Sequence, residues 1–293
     1  MSNVMSNKKY IILFVLPAFA IYGIFALVPM VYNLYLSFFR TDLMSPGLFI
    51  GLKNYTNLMK DQFFLTALRN NMWLILGSLV AHLPLALFFG NAIFNKVKGS
   101  KFYQTTFFLP TVICGVAVGM MFYFVYHSEF GLVNAFLDFL NMGQFKRQWL
   151  SEKETVMACL VVVVMWRFVG YHMVIQLAAM KAIPQSLYES TEIDGANGFQ
   201  QFIYITFPLI KHIIRIDAIL IITGSLKYFD LIFAMTGGGP SHASEVLATY
   251  MYTQGFRVLK FGYASAIGVI LLLLCIIAVV LSNTVFKGEA VEY

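Results

Sequence analysis

Residues 156–180 read VMACLVVVVMWRFVGYHMVIQLAAM, and residues 181–203 directly after them read KAIPQSLYESTEIDGANGFQQFI. The first stretch has the ~20 apolar residues that a helix needs to cross about 30 Å of hydrocarbon with every backbone amide satisfied inside the segment. The second is too long for a hairpin turn and too polar to lie in lipid. The fold is therefore read from a membrane helix that hands over to a structured polar loop.

The same test finds apolar runs on both sides, six in all, at approximately residues 10–39, 72–94, 106–126, 156–180, 205–235 and 261–286. Composition agrees. Hydrophobic residues make up 59% of the 293-residue chain and charged residues 12%, where a soluble domain carries about 25% charged residues to wet its surface. Mean hydropathy is +0.75. The expected fold is all-α, a polytopic membrane protein with six transmembrane helices in one transmembrane domain spanning residues 1–293. The first run is longer than the apolar core of a signal peptide, about 7–15 residues, so it reads as a retained anchor. The connections at 40–71 and 126–155 are too short for an independent domain.

The formal charge of +6 does not mark a nucleic-acid binder, because the basic residues lie between the apolar runs and form no stripe with interleaved aromatics. They read as topology signals, since lysine and arginine accumulate in short cytoplasmic loops. Lys8 and Lys9 place the N-terminus inside, and six crossings put Lys96, Lys98, Lys101, Lys181 and Lys287 on that same face. The opposite loops carry Arg40, Lys53, Lys60, Lys146 and Arg147, mixed with Asp42, Asp61, Glu129 and Glu152. Both termini are expected in the cytoplasm. Cys114, Cys159 and Cys275 each sit in an apolar run with no CxxC or His-paired spacing, so neither a disulfide framework nor a metal site is expected.

The loop at 181–203 falls on the cytoplasmic face of this scheme. Pro184 suits the first turn of a helix, Gly195 its end, and Asn197 the cap of a second short helix. Glu189, Glu192 and Asp194 make it net acidic where lysine is otherwise favoured. As an isolated feature it reads as a solvated hinge.

Its spacing says more. Glu189-Ser190-Thr191, three residues, Gly195, nine residues and then Ile205-Thr206-Phe207-Pro208 resembles the EAA motif of ABC importer permeases, E-A-A-x3-G-x9-I-x-L-P. The chain departs from it with Ser-Thr for Ala-Ala and Phe207 for Leu. Gly51-Leu52-Lys53-Asn54-Tyr55, Phe108-Leu109-Pro110, Phe130-Gly131-Leu132-Val133-Asn134, Trp166, Lys181-Ala182-Ile183-Pro184 and Thr236-Gly237-Gly238-Gly239-Pro240 extend the likeness. They resemble the carbohydrate-uptake branch, of which the larger maltose-permease subunit is typical. The resemblance implies that residues 181–203 are a cytoplasmic coupling helix docking on an ATPase. Glu189 and Asp194 would then offer acidic contacts, Leu187 and Tyr188 apolar anchors, and Gly195 the turn.

No Walker sequence G-x-x-x-x-G-K-[ST] occurs, so the energy source must be another subunit. The implied assembly is a second homologous permease subunit, a dimer of ATP-binding subunits and an extracytoplasmic solute-binding protein, around a sugar substrate in a prokaryotic plasma membrane. ATP and magnesium would be bound by the ATPase subunits, leaving no cofactor in this chain.

Ionisable groups inside membrane runs are functional suspects. Lys227 and Asp230 stand three apart, hence on one helical face if the fifth run is one helix, and either pair with each other or meet substrate. By family resemblance Gly224, Ser225 and Tyr228 line a sugar pocket. Tyr123, Phe124 and His127 in the third run share a helical face and form its other wall or an interfacial aromatic belt. Arg167 needs an acidic residue or carbonyls inside the bundle, with Tyr171 and His172 nearby. Lys211, Arg215 and Asp217 are expected to snorkel or pair at the interface. An anionic sugar or a glycerophosphodiester is an alternative cargo, since Lys227 and Arg167 would attract an anion. A secondary transporter or channel would need paired broken helices and inverted repeats and would leave the loop unexplained. The histidines His82, His127, His172, His212 and His242 lack catalytic spacing, so no enzyme is expected.

Overall fold

The computed structural model describes residues 8–42, 44 and 46–285. The lysine at 287 and the terminal residues on which the topology argument partly rests lie outside them. The chain divides into two units, one taking the sequence up to Asp61 with Met251–Ile270, the other Gln62–Tyr250 with the sequence from Leu271.

In the first unit, α1 (Lys8–Tyr22) runs through a π turn at Gly23–Leu27 into α2 (Val28–Leu36). Between Phe14 and Leu36 no side chain is buried, as expected of a helix solvated by lipid. A two-stranded antiparallel hairpin follows, β1 (Phe39–Arg40) with β2 (Leu48–Phe49), pairing Phe39 with Phe49 and Arg40 with Leu48. Asn54, buried on α3 (Lys53–Leu58), donates through Nδ2 to the carbonyls of Ser37 and Phe39 at 2.8 and 2.9 Å. The all-α expectation is corrected at this hairpin of two paired residues per strand, where Asn54 also takes the Phe39 carbonyl; the described chain is otherwise mostly helical.

The second unit holds α4 (Gln62–Phe94), α5 (Ser100–Val112), α6 (Gly115–Val125), α7 (Leu132–Phe139), α8 (Val156–Lys181), α9 (Gln185–Ile193), α10 (Gly198–Gln201), α11 (Phe207–Lys227) and α12 (Asp230–Thr236). α13 (Leu247–Tyr252) and α14 (Phe261–Val285) each belong partly to both units. Leu74 of α4, Val118 of α6, Leu160, Val163 and Val164 of α8 and Leu231 and Ile232 of α12 form one buried cluster. Ala86 and Ile93 pack with Met173 and Leu177 further along α4 and α8.

Two runs expected as single helices are broken. The third bends by 99° between α5 and α6, where Ile113 and Cys114 take extended backbone. The fifth stops at Lys227; Tyr228 and Phe229 leave helical geometry before α12 begins at Asp230. α12 ends at Gly237, whose φ of +58° is the left-handed conformation that glycine adopts freely.

Among the described residues four helical segments are long and apolar enough to cross a membrane: Phe14–Leu36, Gln62–Phe94, Val156–Lys181 and Phe261–Ser282. The bent pair α5 and α6 makes a fifth if counted as one span. α11, at 21 residues, is nearly as long but carries Lys211, Arg215, Asp217 and Lys227, which lower its apolar character.

Candidate functional site

α4, α8 and α11 converge on a cavity of about 350 Å³. α11 lines it with Thr223, Gly224, Ser225 and Lys227, α8 with Phe168, Tyr171 and His172, and α4 with His82. Tyr228 reaches it because the helix stops there: its ψ of 124° turns the chain out of α11. The Tyr228 ring rests against Phe168 with centroids 5.7 Å apart. Nothing lies within 4 Å of where a Gly224 Cβ would stand, so that wall stays open. Aromatic faces beside hydroxyl, amine and imidazole groups suit a ligand with both apolar faces and polar edges.

His172 also belongs to a buried polar network. Asp217 on α11 is fully buried and accepts from His172 Nδ1 at 2.6 Å and from Gln176 Nε2 at 2.7 Å. The expectation that Asp217 snorkels to an interface is corrected here: α8 supplies a donor to each of its oxygens, which makes burial of a carboxylate affordable inside a membrane protein. His82 stacks on His172, centroids 4.9 Å apart and planes inclined by 27°.

The residues expected from the sequence divide between this cavity and other places. Gly224, Ser225, Lys227 and Tyr228 line it. Asp230 pairs with Arg167, Oδ2 to Nη1 3.6 Å, so the expected Lys227–Asp230 face is corrected: the break at Tyr228 and Phe229 removes the helical spacing that it assumed. Arg167 Nη2 also donates to the Ile113 carbonyl at 3.0 Å, and Thr111 Oγ1 donates to the Arg167 carbonyl at 2.8 Å. A Cβ on Gly115 would fall 1.6 Å from Asp230 Oδ2, so only glycine fits beside this pair. Tyr123, Phe124 and His127 do not line the cavity. Tyr123 and Phe124 are exposed and meet edge to face, while His127 stacks on Phe130 with centroids 3.6 Å apart.

In the loop, α9 and α10 form as the sequence predicts. Asn197 Oδ1 accepts from the Gln200 amide at 3.0 Å and Gln200 Oε1 from the Asn197 amide at 2.8 Å, a reciprocal cap. Gly195 has φ +78°. Leu187, Glu189 and Asp194 are exposed. Tyr188 is not an outward anchor: it is buried against Met180, Ile183 and Ile210, and its hydroxyl bonds Thr206 Oγ1 at 2.9 Å. The outward apolar groups that the sequence reading missed are Ile193, 87% exposed, and Phe199, 75% exposed.

Also missed were His82 and Phe168. A histidine in a membrane run carried the same signal as Lys227 and Asp230, but its partners come from other helices and leave no spacing to read.

Residues 82–287 match the family model of the binding-protein-dependent transport system inner membrane component. The probable ABC transporter permease protein YurN of Bacillus subtilis is 36% identical, over 96% of this chain and 97% of its own length. The diacetylchitobiose uptake system permease protein NgcF of Streptomyces coelicolor is 32% identical, over 86% of this chain and 75% of its own. Among solved structures, a bacterial ABC transporter involved in the import of the acidic polysaccharide alginate superposes with a TM-score of 0.81. Its sequence identity is 26%, over 96% of this chain and 97% of that one.

Proposed function

This chain belongs to the family of binding-protein-dependent transport system inner membrane components, and on that premise we propose that it carries an oligosaccharide through the cavity walled by Tyr228. It is a multi-pass membrane permease of an ABC importer, not an enzyme. The observation that carries the sugar reading is the wall itself: Tyr228 and Phe168 offer ring faces to sugar C–H groups, while Tyr171, Thr223 and Lys227 offer polar groups to hydroxyls. A saccharide-named relative such as NgcF supports it. Lys227 in the wall favours a second reading, an acidic saccharide.

The rest of the machine follows from what this chain lacks and exposes. Six crossings are reached if the α5–α6 pair and α11 each count as one; at about 1.5 Å per residue α11 is roughly 30 Å long. Both termini then lie in the cytoplasm with the loop at 181–203. The loop's acidic and apolar outer surface suits the cleft of an ATP-binding subunit, with Ile193 and Leu187 as anchors and Glu189 and Asp194 facing basic groups. One loop engages one ATPase, so an ATPase dimer needs a second permease, and a solute-binding protein delivers cargo from outside.

Deleting the gene and measuring uptake of labelled maltotriose, arabinotriose, diacetylchitobiose and an alginate trisaccharide tests the assignment. Loss of one of these is expected. Unchanged uptake of all four would contradict it.

A further inference from the structure

Among the described residues that line the cavity, one buried polar side-chain atom has no hydrogen-bond partner. His82 is 2% exposed, on α4, and its Nε2 faces the Val164 carbonyl at 3.4 Å. A carbonyl only accepts, so Nε2 carries the proton, and in the neutral imidazole Nδ1 is then an acceptor. That Nδ1 is buried and has no hydrogen-bond partner among the described residues, in a residue that lines the cavity. A buried unpaired acceptor costs free energy that a ligand donor would recover.

The neighbouring ring is held still. His172 is fixed by Asp217, which Gln176 holds in turn, and the His82 ring lies stacked on it. The two imidazoles therefore make a rigid polar corner from three helices, opposite in kind to the aromatic wall at Phe168 and Tyr228. A sugar hydroxyl is both donor and acceptor and fits such a corner; an apolar ligand would leave the Nδ1 unsatisfied.

We propose that His82 Nδ1 accepts a hydrogen bond from one hydroxyl of the transported saccharide, which makes His82 a specificity-determining residue and His172, Gln176 and Asp217 its positioning residues. This rests on the cavity being the sugar route.

The test uses the complete importer in proteoliposomes, with whichever of maltotriose, arabinotriose, diacetylchitobiose and an alginate trisaccharide it transports, and the monodeoxy derivatives of that sugar. Wild type should transport one deoxy derivative about tenfold more slowly than the parent, the effect of one lost hydrogen bond of ~1.4 kcal/mol. His82→Phe, which keeps a stacked ring without the acceptor, should transport parent and derivative alike. His82→Asn, whose amide oxygen replaces Nδ1, should restore the discrimination. A ratio between two sugars does not move when a variant merely folds or assembles poorly. Undiminished discrimination in His82→Phe, or none in wild type, overturns the proposal. Tyr228→Ala separates the two levels: impaired uptake there with an unchanged His82→Phe ratio sinks only this inference. Unimpaired uptake in Tyr228→Ala, or transport of none of the four sugars, sinks the sugar route and this inference together.

Discussion

Arg167 Nη1 stands 3.6 Å from Asp230 Oδ2, so one guanidinium on α8 joins the two places where apolar runs break. Its Nη2 takes the Ile113 carbonyl at the α5–α6 bend, and its partner Asp230 opens α12 after the break at Tyr228. A broken helix inside a membrane leaves backbone groups that must find partners within the protein. Arg167→Met should therefore lower stability more than Asp230→Asn, because it leaves the Ile113 carbonyl at the bend without its side-chain donor as well as breaking the pair, a loss of about 0.5–1.5 kcal/mol for that hydrogen bond. Half-exposed Asp230 can turn to solvent. Thermal unfolding of the detergent-solubilised protein measures the difference, and equal midpoints for the two variants would remove Arg167 from the bend.

Gly170 fixes the crossing of α5 over α8. A Cβ there would meet the Phe107 carbonyl oxygen at 1.9 Å, a backbone atom that no rotamer change can move. Gly170→Ala should destabilise by about 1–3 kcal/mol through overpacking and reduce the yield of folded protein. Gly224→Ala, with open space at its Cβ, should fold normally; fluorescence-detected size-exclusion chromatography distinguishes them.

The proposed coupling surface predicts a split between membrane insertion and transport. On the proposed docking, Glu189→Lys places a cation where an acidic group would meet the ATP-binding subunit, and Ile193→Asp removes the most exposed apolar group of α9. Both should abolish uptake and stimulated ATP hydrolysis while membrane insertion persists. Gly195→Trp adds about 1–2 kcal/mol of left-handed backbone strain and should fail in the same assay. Tyr188→Ala should act differently, lowering stability by opening the cluster around Ile210.

Much of this was legible in the sequence, and the remainder has physical reasons. Apolar length located four of the six expected spans and the bent pair α5 and α6, and the turn chemistry of Pro184, Gly195 and Asn197 located the two short helices, because both depend on local backbone needs. The breaks at Ile113 and Tyr228 were not legible: the groups that satisfy the backbone there come from other helices, Arg167 of α8 at the Ile113 carbonyl and Asn71 of α4 at the carbonyls of Ser225 and Leu226. Side-chain direction was the other gap. Tyr188 looked like a surface anchor beside Leu187 until packing of α9 turned it inward, and His82 and His172, 90 positions apart in sequence, became neighbours only through the α4–α8 contact.

Tyr228 and Phe124 should no longer behave as equals. Tyr228 lines the cavity and Phe124 is exposed at the end of α6, so Tyr228→Ala should cut saccharide uptake about tenfold, with Phe124→Ala closer to wild type. Both should assemble with the ATPase, which co-purification checks. A larger loss for Phe124→Ala would move the route to the α6 wall.

In the proposed function this chain passes a saccharide under the control of a separate ATPase. Reconstitution of the chain with its second permease, ATP-binding subunits and binding protein in proteoliposomes measures this directly, as entry of a labelled oligosaccharide with ATP supplied on the cytoplasmic face. Uptake should require ATP, the binding protein and an intact Glu189, and should vanish when any one of them is withdrawn. Saccharide entry that proceeds without ATP, or ATP hydrolysis that never moves a saccharide, would rule out an ATP-driven saccharide permease.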